Sequence, residues 1–231
     1  MSALKDLKEI AWRCNMDLHR HKLVLHTFGN ASAIDRANGL VAIKPSGVPY
    51  EQLKIGDIVI VDLDNRVVEG KLRPSSDTKT HTLLYKNFPE IGGVVHTHST
   101  YAVAWAQAMK PIPILGTTHA DHAPEDIPCT EVMSDQMIKG DYEIETGNQI
   151  LKTFKKRSYL ETPMVIVACH GPFTWGKTPD KAVYNSVMIE ELARMAYLTV
   201  QINPKVPRLK KSLIDKHYKR KHGPDSYYGQ E

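Results

Sequence analysis

Three histidines carry the strongest chemical signal in this 231-residue chain. His96-Thr97-His98 closes the run Gly93-Val94-Val95. Alternate side chains of a strand share a face, so both imidazoles project together. His170 follows the apolar run Pro163–Cys169 and precedes Gly171-Pro172. If the two strands are neighbours, three imidazoles converge and leave one coordination position open. That set suits a divalent ion, Zn²⁺ foremost, with room for a substrate. A His-x-His at a strand end equally serves ordinary hydrogen bonding, and spacing alone does not choose between the two.

Three further segments have the composition of anion-binding loops: Gly29-Asn30, Ser46-Gly47 after Lys44-Pro45, and Ser75-Ser76-Asp77 after Pro74. Glycine admits close backbone approach, serine adds a hydroxyl, and a helix starting near Asp77 would turn its positive end toward a phosphate. Lys44 adds a charge. None is a Walker or dinucleotide fingerprint, and each taken singly also reads as a turn or cap.

These residues need elements to hold them. Leu4, Leu7, Ala11, Cys14 and Leu18 predict a helix over 2–21. Leu23–Thr27 reads as a strand. Asn38-Gly39 between 31–35 and 40–43 predicts a tight hairpin, and Asp64-Asn65 between 58–63 and 66–69 a second. Ser76 or Asp77 caps a helix to about Asn87, and Ser99 caps another, to about Met109, directly after the His pair. Residues 111–146 lack periodicity, which inside a compact domain points to function. A helix near 147–156, a buried strand at 163–169, a long helix at 180–201 and a basic helix at 207–222 complete the chain.

Composition narrows the function classes. With 42% hydrophobic and 24% charged residues, the chain has the make-up of an ordinary globular domain. No apolar run exceeds six residues, too few to span a bilayer. The first 20 residues lack an apolar signal core, and three scattered cysteines fit reduced thiols in the cytoplasm. The net charge of +4 is small and concentrated in 205–222; that run reads as a solvated helix face, with no nucleic acid and no membrane as partner. His-x-His also opens metallohydrolases built on (β/α)8 barrels, but those need about 250 residues and eight βα repeats, and here hairpins precede the pair.

In their order along the chain these segments resemble the class II aldolase/epimerase superfamily. The matching motifs are Gly29-Asn30-Ala31-Ser32, Lys44-Pro45-Ser46-Gly47, Ser75-Ser76-Asp77, His96-Thr97-His98, Gly116-Thr117-Thr118-His119-Ala120-Asp121 and His170-Gly171-Pro172-Phe173. Thr118-His119-Ala120-Asp121 and the ending from Lys216 through Tyr227-Tyr228-Gly229-Gln230 are similar to its pentulose-phosphate 4-epimerase branch. The resemblance spans residues 1–231 and implies a single α/β domain with a central, mostly antiparallel sheet between helical layers. It further implies a homotetramer with active sites between subunits. His96, His98 and His170 would bind Zn²⁺ (Mn²⁺ being another candidate), with Asp77 near the metal. Gly29, Asn30, Ser46, Gly47, Ser75 and Ser76 would hold the phosphate of a small sugar phosphate, assisted by Lys44. Asp121 and Tyr228 match the two acid/base residues, supplied by the adjacent subunit. Thr117, Glu143 and His217 are supporting residues at that seam, and His119 and His122 read as structural.

The implied reaction interconverts L-ribulose 5-phosphate and D-xylulose 5-phosphate. The C4 hydrogen is not adjacent to the C2 carbonyl, so the C3–C4 bond must break and re-form on the other face of the aldehyde. A metal stabilises the enediolate, and two acid/base groups serve the C4 oxygen in its two orientations. Two alternatives remain: an aldolase of the fuculose-phosphate type, in which Glu tends to replace Asp77, and a non-catalytic adducin-like adaptor free to lose its histidines.

Overall fold

The computed structural model describes residues 2–222 and Ser226. Seven strands form one antiparallel sheet in the order β4-β3-β2-β1-β5-β7-β6. They are β1 (Asn30–Asp35), β2 (Leu40–Ile43), β3 (Val59–Asp62), β4 (Val67–Glu69), β5 (Gly93–His96), β6 (Met164–Val167) and β7 (Gly171–Gly176). Helices α1 (Ser2–Arg20), α3 (Thr100–Gln107) and α7 (Pro179–Ile202) cover one face; α2 (Thr78–Asn87) and α6 (Tyr142–Phe154) cover the other. Short α4 (Thr117–Ala120) and α5 (Asp135–Lys139) interrupt the long connection, and α8 (Lys211–Lys221) packs on α4.

Strand alternation sorts the core. Val41, Val94, Val165, Phe173 and Trp175 point to α2 and α6, while Ala31 and Val95 meet Cys14 and Leu18 of α1 and Ala182 of α7. Fully burying side chains of this size contributes about 1.5–3 kcal/mol each. Buried Asn15 pins α1 to β1 by bonding both the carbonyl and the amide of Ala31, at 2.8 and 2.9 Å.

Both hairpins form. The first closes through the four residues 36–39, Asp35 pairing with Leu40; the Asp35 carboxylate takes the turn amides and Gly39 adopts φ +65°. The expected strand over Leu23–Thr27 is absent. Lys22 and His26 take left-handed conformations, so Leu23 and Val24 plug the core from an irregular segment while Leu25 is 70% exposed. The expected helix at 147–156 starts five residues earlier, capped by Asp141 accepting from the Ile144 amide. β7 is a strand that periodicity does not reveal, because Gly171-Pro172 and Gly176 mask its alternation.

Candidate metal centre

Sheet register builds the site. Asn30 opens β1 and pairs with His96 at the end of β5, and His96 pairs with Phe173 on β7, so the three form one row across the sheet. The spacing brings His170 to the pair if the strand before it neighbours β5. Instead β7 lies between β5 and β6, and His170 sits in the turn joining β6 to β7, its amide donating to the Val167 carbonyl at 3.0 Å. Cys169 permits that turn at φ +61°. The three histidines do converge: one ligand atom from each of His96, His98 and His170 lies within 4.8 Å of the others.

Their surroundings fit a divalent cation. His96 is buried, stacked on Phe173 at 4.2 Å, and its Nδ1 lies 3.0 Å from the Pro172 carbonyl. A carbonyl accepts only, so Nδ1 carries the proton and Nε2 keeps its lone pair, 3.0 Å from Nε2 of His98. Burial pushes His170 down to about 3, reinforced by repulsion from His96. Burial and His96 likewise lower His98. Imidazoles held neutral at close quarters are donors waiting for a positive charge.

Asp77 stands at the N-cap position of α2 but makes no capping bond with its side chain; the carboxylate accepts from Asn30 Nδ2 at 2.7 Å. Burial alone would raise its pKa, yet the imidazoles of His96 and His81 and the Asn30 bond hold it below the ordinary value. Asn30 also donates to Ser75 Oγ at 3.0 Å.

The anion loops meet at the same place. An antiparallel bridge joins Pro45 to Pro74; the Ser46 amide donates to Arg73 and the Ser75 amide to Lys44, at 2.9 and 3.0 Å. Those two amides therefore staple the loops together. Gly29, Asn30, Lys44, Ser46, Gly47, Ser75, Ser76, Asp77 and the three histidines line one cleft of about 370 Å³. Gly29 is required: at φ +78°, a Cβ there would stand 2.8 Å from Val24 Cγ1 and 3.0 Å from the His96 carbonyl. Lys44 is buried, and that burial pulls its pKa down to about 8.

Asp121 lies elsewhere. It follows α4 and takes a bidentate pair from Arg220, at 3.0 and 2.6 Å, and a contact with His217 Nδ1 at 3.0 Å. Burial would raise its pKa, but Arg220, His217 and Lys221 hold it below the usual value. It lines a second cavity of about 280 Å³ that shares no lining residue with the histidine cleft. Thr117 and His217 sit with Asp121, whereas Glu143 lines the cleft. His119 contacts the Glu125 carbonyl and His122 the Thr118 carbonyl. Tyr228 lies outside the described residues.

Sequence reasoning missed Tyr142 and Phe28, which line the cleft; Tyr142 Oη is 3.5 Å from His170 Nδ1. It also missed Glu190. The Ser99 side chain does not cap α3; the Glu190 carboxylate does, accepting from the Tyr101 and Ala102 amides at 2.9 Å each.

Residues 9–197 match the family model described as Class II Aldolase and Adducin N-terminal domain. The chain belongs to this family. It is 54% identical over 228 residues, 99% of this chain and all of its relative, to a protein of Salmonella paratyphi B named L-ribulose-5-phosphate 4-epimerase UlaF. Among solved structures of the same fold, an L-fuculose 1-phosphate aldolase is 24% identical, with a TM-score of 0.78 over 93% of this chain and 95% of that one. A second, from Glaciozyma antarctica, is 18% identical with a TM-score of 0.77, covering 97% and 85%. The family thus holds this sheet at identities too low to fix chemistry, and the three-histidine cleft is where the chemistry must be read. Among the described residues no helix is long and apolar enough to cross a membrane.

Proposed function

We propose that the protein is a metal-dependent epimerase of the cytoplasm that interconverts L-ribulose 5-phosphate and D-xylulose 5-phosphate by breaking and re-forming the C3–C4 bond. The observation that carries the reading is the single cleft in which a three-histidine cluster adjoins Lys44 and the serine loops. The full-length identity of 54% to a protein named as this epimerase supports the substrate. His96, His98 and His170 hold the ion, Zn²⁺ by donor type, with Asp77 beside them. When bound, a divalent ion supplies Lewis-acid stabilisation of the negative charge that develops as C3–C4 breaks.

The chain's own groups do the rest. Lys44 and the Ser46, Ser75 and Ser76 hydroxyls anchor the phosphate, so the aldehyde fragment turns about a fixed end and is recaptured. Asn30 orients Asp77. Asp121 and Tyr228 exchange the proton on the C4 oxygen from its two sides, and they come from a neighbouring subunit of a homotetramer. The separation of Asp121 from the histidine cleft within one chain supports that sharing. Thr117 and His217 orient Asp121 at the seam, and Glu143 acts from the cleft side.

The test is to give metal-loaded protein L-ribulose 5-phosphate while following D-xylulose 5-phosphate and free glycolaldehyde phosphate together. Chelator-sensitive epimer with little free aldehyde is expected. Free aldehyde without epimer would make the protein an aldolase of the fuculose-phosphate type, and no turnover by folded, metal-replete protein would overturn the substrate assignment.

A further inference from the structure

The proposed reaction assigns a proton exchange to Asp121, whose carboxylate is already engaged. Oδ1 accepts from His217 Nδ1 and Arg220 Nε, each at 3.0 Å. Oδ2 accepts from Arg220 Nη2 at 2.6 Å, with Lys221 Nζ 3.6 Å away. The packing of α8 on α4 builds this cluster, since Asp121 directly follows α4 and its three partners all sit on α8. His222, at the end of α8, fixes the backbone as well, its Nε2 lying 2.9 Å from the Asp121 carbonyl. A carboxylate so surrounded is a poor base, because each positive neighbour favours the ionised form. A substrate hydroxyl reaching either oxygen would also have to compete with partners already in place.

His217 offers what Asp121 lacks. An ionised carboxylate only accepts, so His217 Nδ1 carries the proton of this bond, and in the neutral ring Nε2 keeps its lone pair. Nε2 makes no hydrogen bond with the described residues. His217 is also absent from the wall of the cavity behind Asp121, and its side chain is 17% exposed against 10% for that of Asp121. A buried carboxylate, then Nδ1–H, then an open Nε2 is the order in which aspartate serves a histidine base in hydrolase triads. A guanidinium or an ammonium keeps its proton near neutrality, whereas an imidazole exchanges one there. We propose that His217 Nε2 carries the proton assigned to Asp121, with Asp121 as the positioning residue behind it. This role rests on the epimerase reading. Nε2 takes the C4 hydroxyl proton as the O–H electron pair becomes the aldehyde double bond and the C3–C4 pair leaves with the three-carbon fragment. The imidazolium keeps its Nδ1–H on Asp121, which stabilises the new charge while Arg220 holds the carboxylate in place. In the opposite direction the same nitrogen returns the proton to the C4 oxygen.

His217→Asn separates the two roles, assayed on the full-length, metal-loaded protein with L-ribulose 5-phosphate and checked for folding by thermal melts. The asparagine amide takes the place of Nδ1–H against Asp121 but puts nothing at Nε2. Its kcat is expected to fall at least about 100-fold, and that of His217→Ala as far. Added imidazole restores part of the activity of His217→Ala, and across substituted imidazoles the restored rate rises with their basicity. Asp121→Asn is slow and gains nothing from imidazole. Asp121→Asn combined with His217→Ala is no slower than His217→Ala alone, because the pair acts as one unit. Near-wild-type kcat in His217→Asn would overturn the proposal, as would a folded His217→Ala that imidazole does not rescue or a double variant slowed by the product of the single effects. Should His217→Ala not fold, His217→Asn decides, since it preserves the bond to Asp121. No turnover by folded, metal-replete wild type would instead bring down the epimerase reading and this role with it.

Discussion

Asp77 shows how a residue is released for chemistry by the element that carries it. An aspartate at a helix N-cap commonly spends its side chain on the helix's own first amides. Here the carboxylate turns away from α2 to Asn30 and the imidazoles. Asp77→Asn keeps the shape and an acceptor for Asn30 while removing the charge. It should lower turnover about 10–100-fold and change stability by less than about 1 kcal/mol; parallel loss of activity and melting temperature would show that Asp77 serves the fold instead. Lys44 makes the second case. Its burial favours the neutral amine and leaves its pKa at about 8, and only the ammonium attracts a phosphate. The free enzyme therefore loses phosphate affinity as pH rises through about 8, giving a falling limb in kcat/KM, while bound phosphate keeps Lys44 charged and kcat holds to higher pH. Lys44→Met should lower kcat/KM throughout and abolish that limb, read from pH profiles of both parameters. A limb that survives in Lys44→Met belongs to another group.

Elements differ in how openly the sequence declares them. The hairpin of β1 and β2, and the shared face of His96 and His98, follow from local alternation and turn chemistry and were legible. So were the loops, each marked by Gly or Pro. What was hidden depends on partners far away in the chain. β7 carries Gly171, Pro172 and Gly176, poor strand residues by propensity, and it forms because β5 and β6 pair with it from both sides. The Leu23–Thr27 segment has strand composition but serves as a plug for the core. Glu190 gives no local hint, since the amides it caps are 88 and 89 residues away. That cap fixes the start of α3 two residues after His98, making it a brace between α7 and the metal centre. Hydrogen bonds to a charged group are worth about 1.5–3 kcal/mol each, partly offset here by solvent. Glu190→Ala should cost about 1–3 kcal/mol in denaturant unfolding and weaken metal binding several-fold, with Glu190→Gln recovering part of both. Unchanged metal affinity in the alanine variant would confine the cap to stability.

At the scale of the whole molecule, the fold divides the proposed machinery in two. One chain brings the histidines, Asp77 and the phosphate loops to one end of the sheet, and brings Asp121, His217 and Arg220 together at the α4–α8 seam. Arg220 and His217 hold Asp121 below the usual carboxylate value, and the cavity it lines shares no lining residue with the histidine cleft. Spacing alone does not reveal that separation, which only the family resemblance implies, because distance along a chain says nothing about which side of a sheet edge a later helix docks on. If sites form between subunits, a chain lacking His98 and a chain lacking Asp121 repair one another. His98→Asn and Asp121→Asn should each be nearly inactive alone. Refolded together at equal amounts, random assembly in a ring gives about one site in four both wild-type halves, hence about a quarter of wild-type activity, and sedimentation should report four chains. Activity no greater than the sum of the separate variants, in assemblies verified as mixed, would place the whole reaction within one chain and remove Asp121 from it.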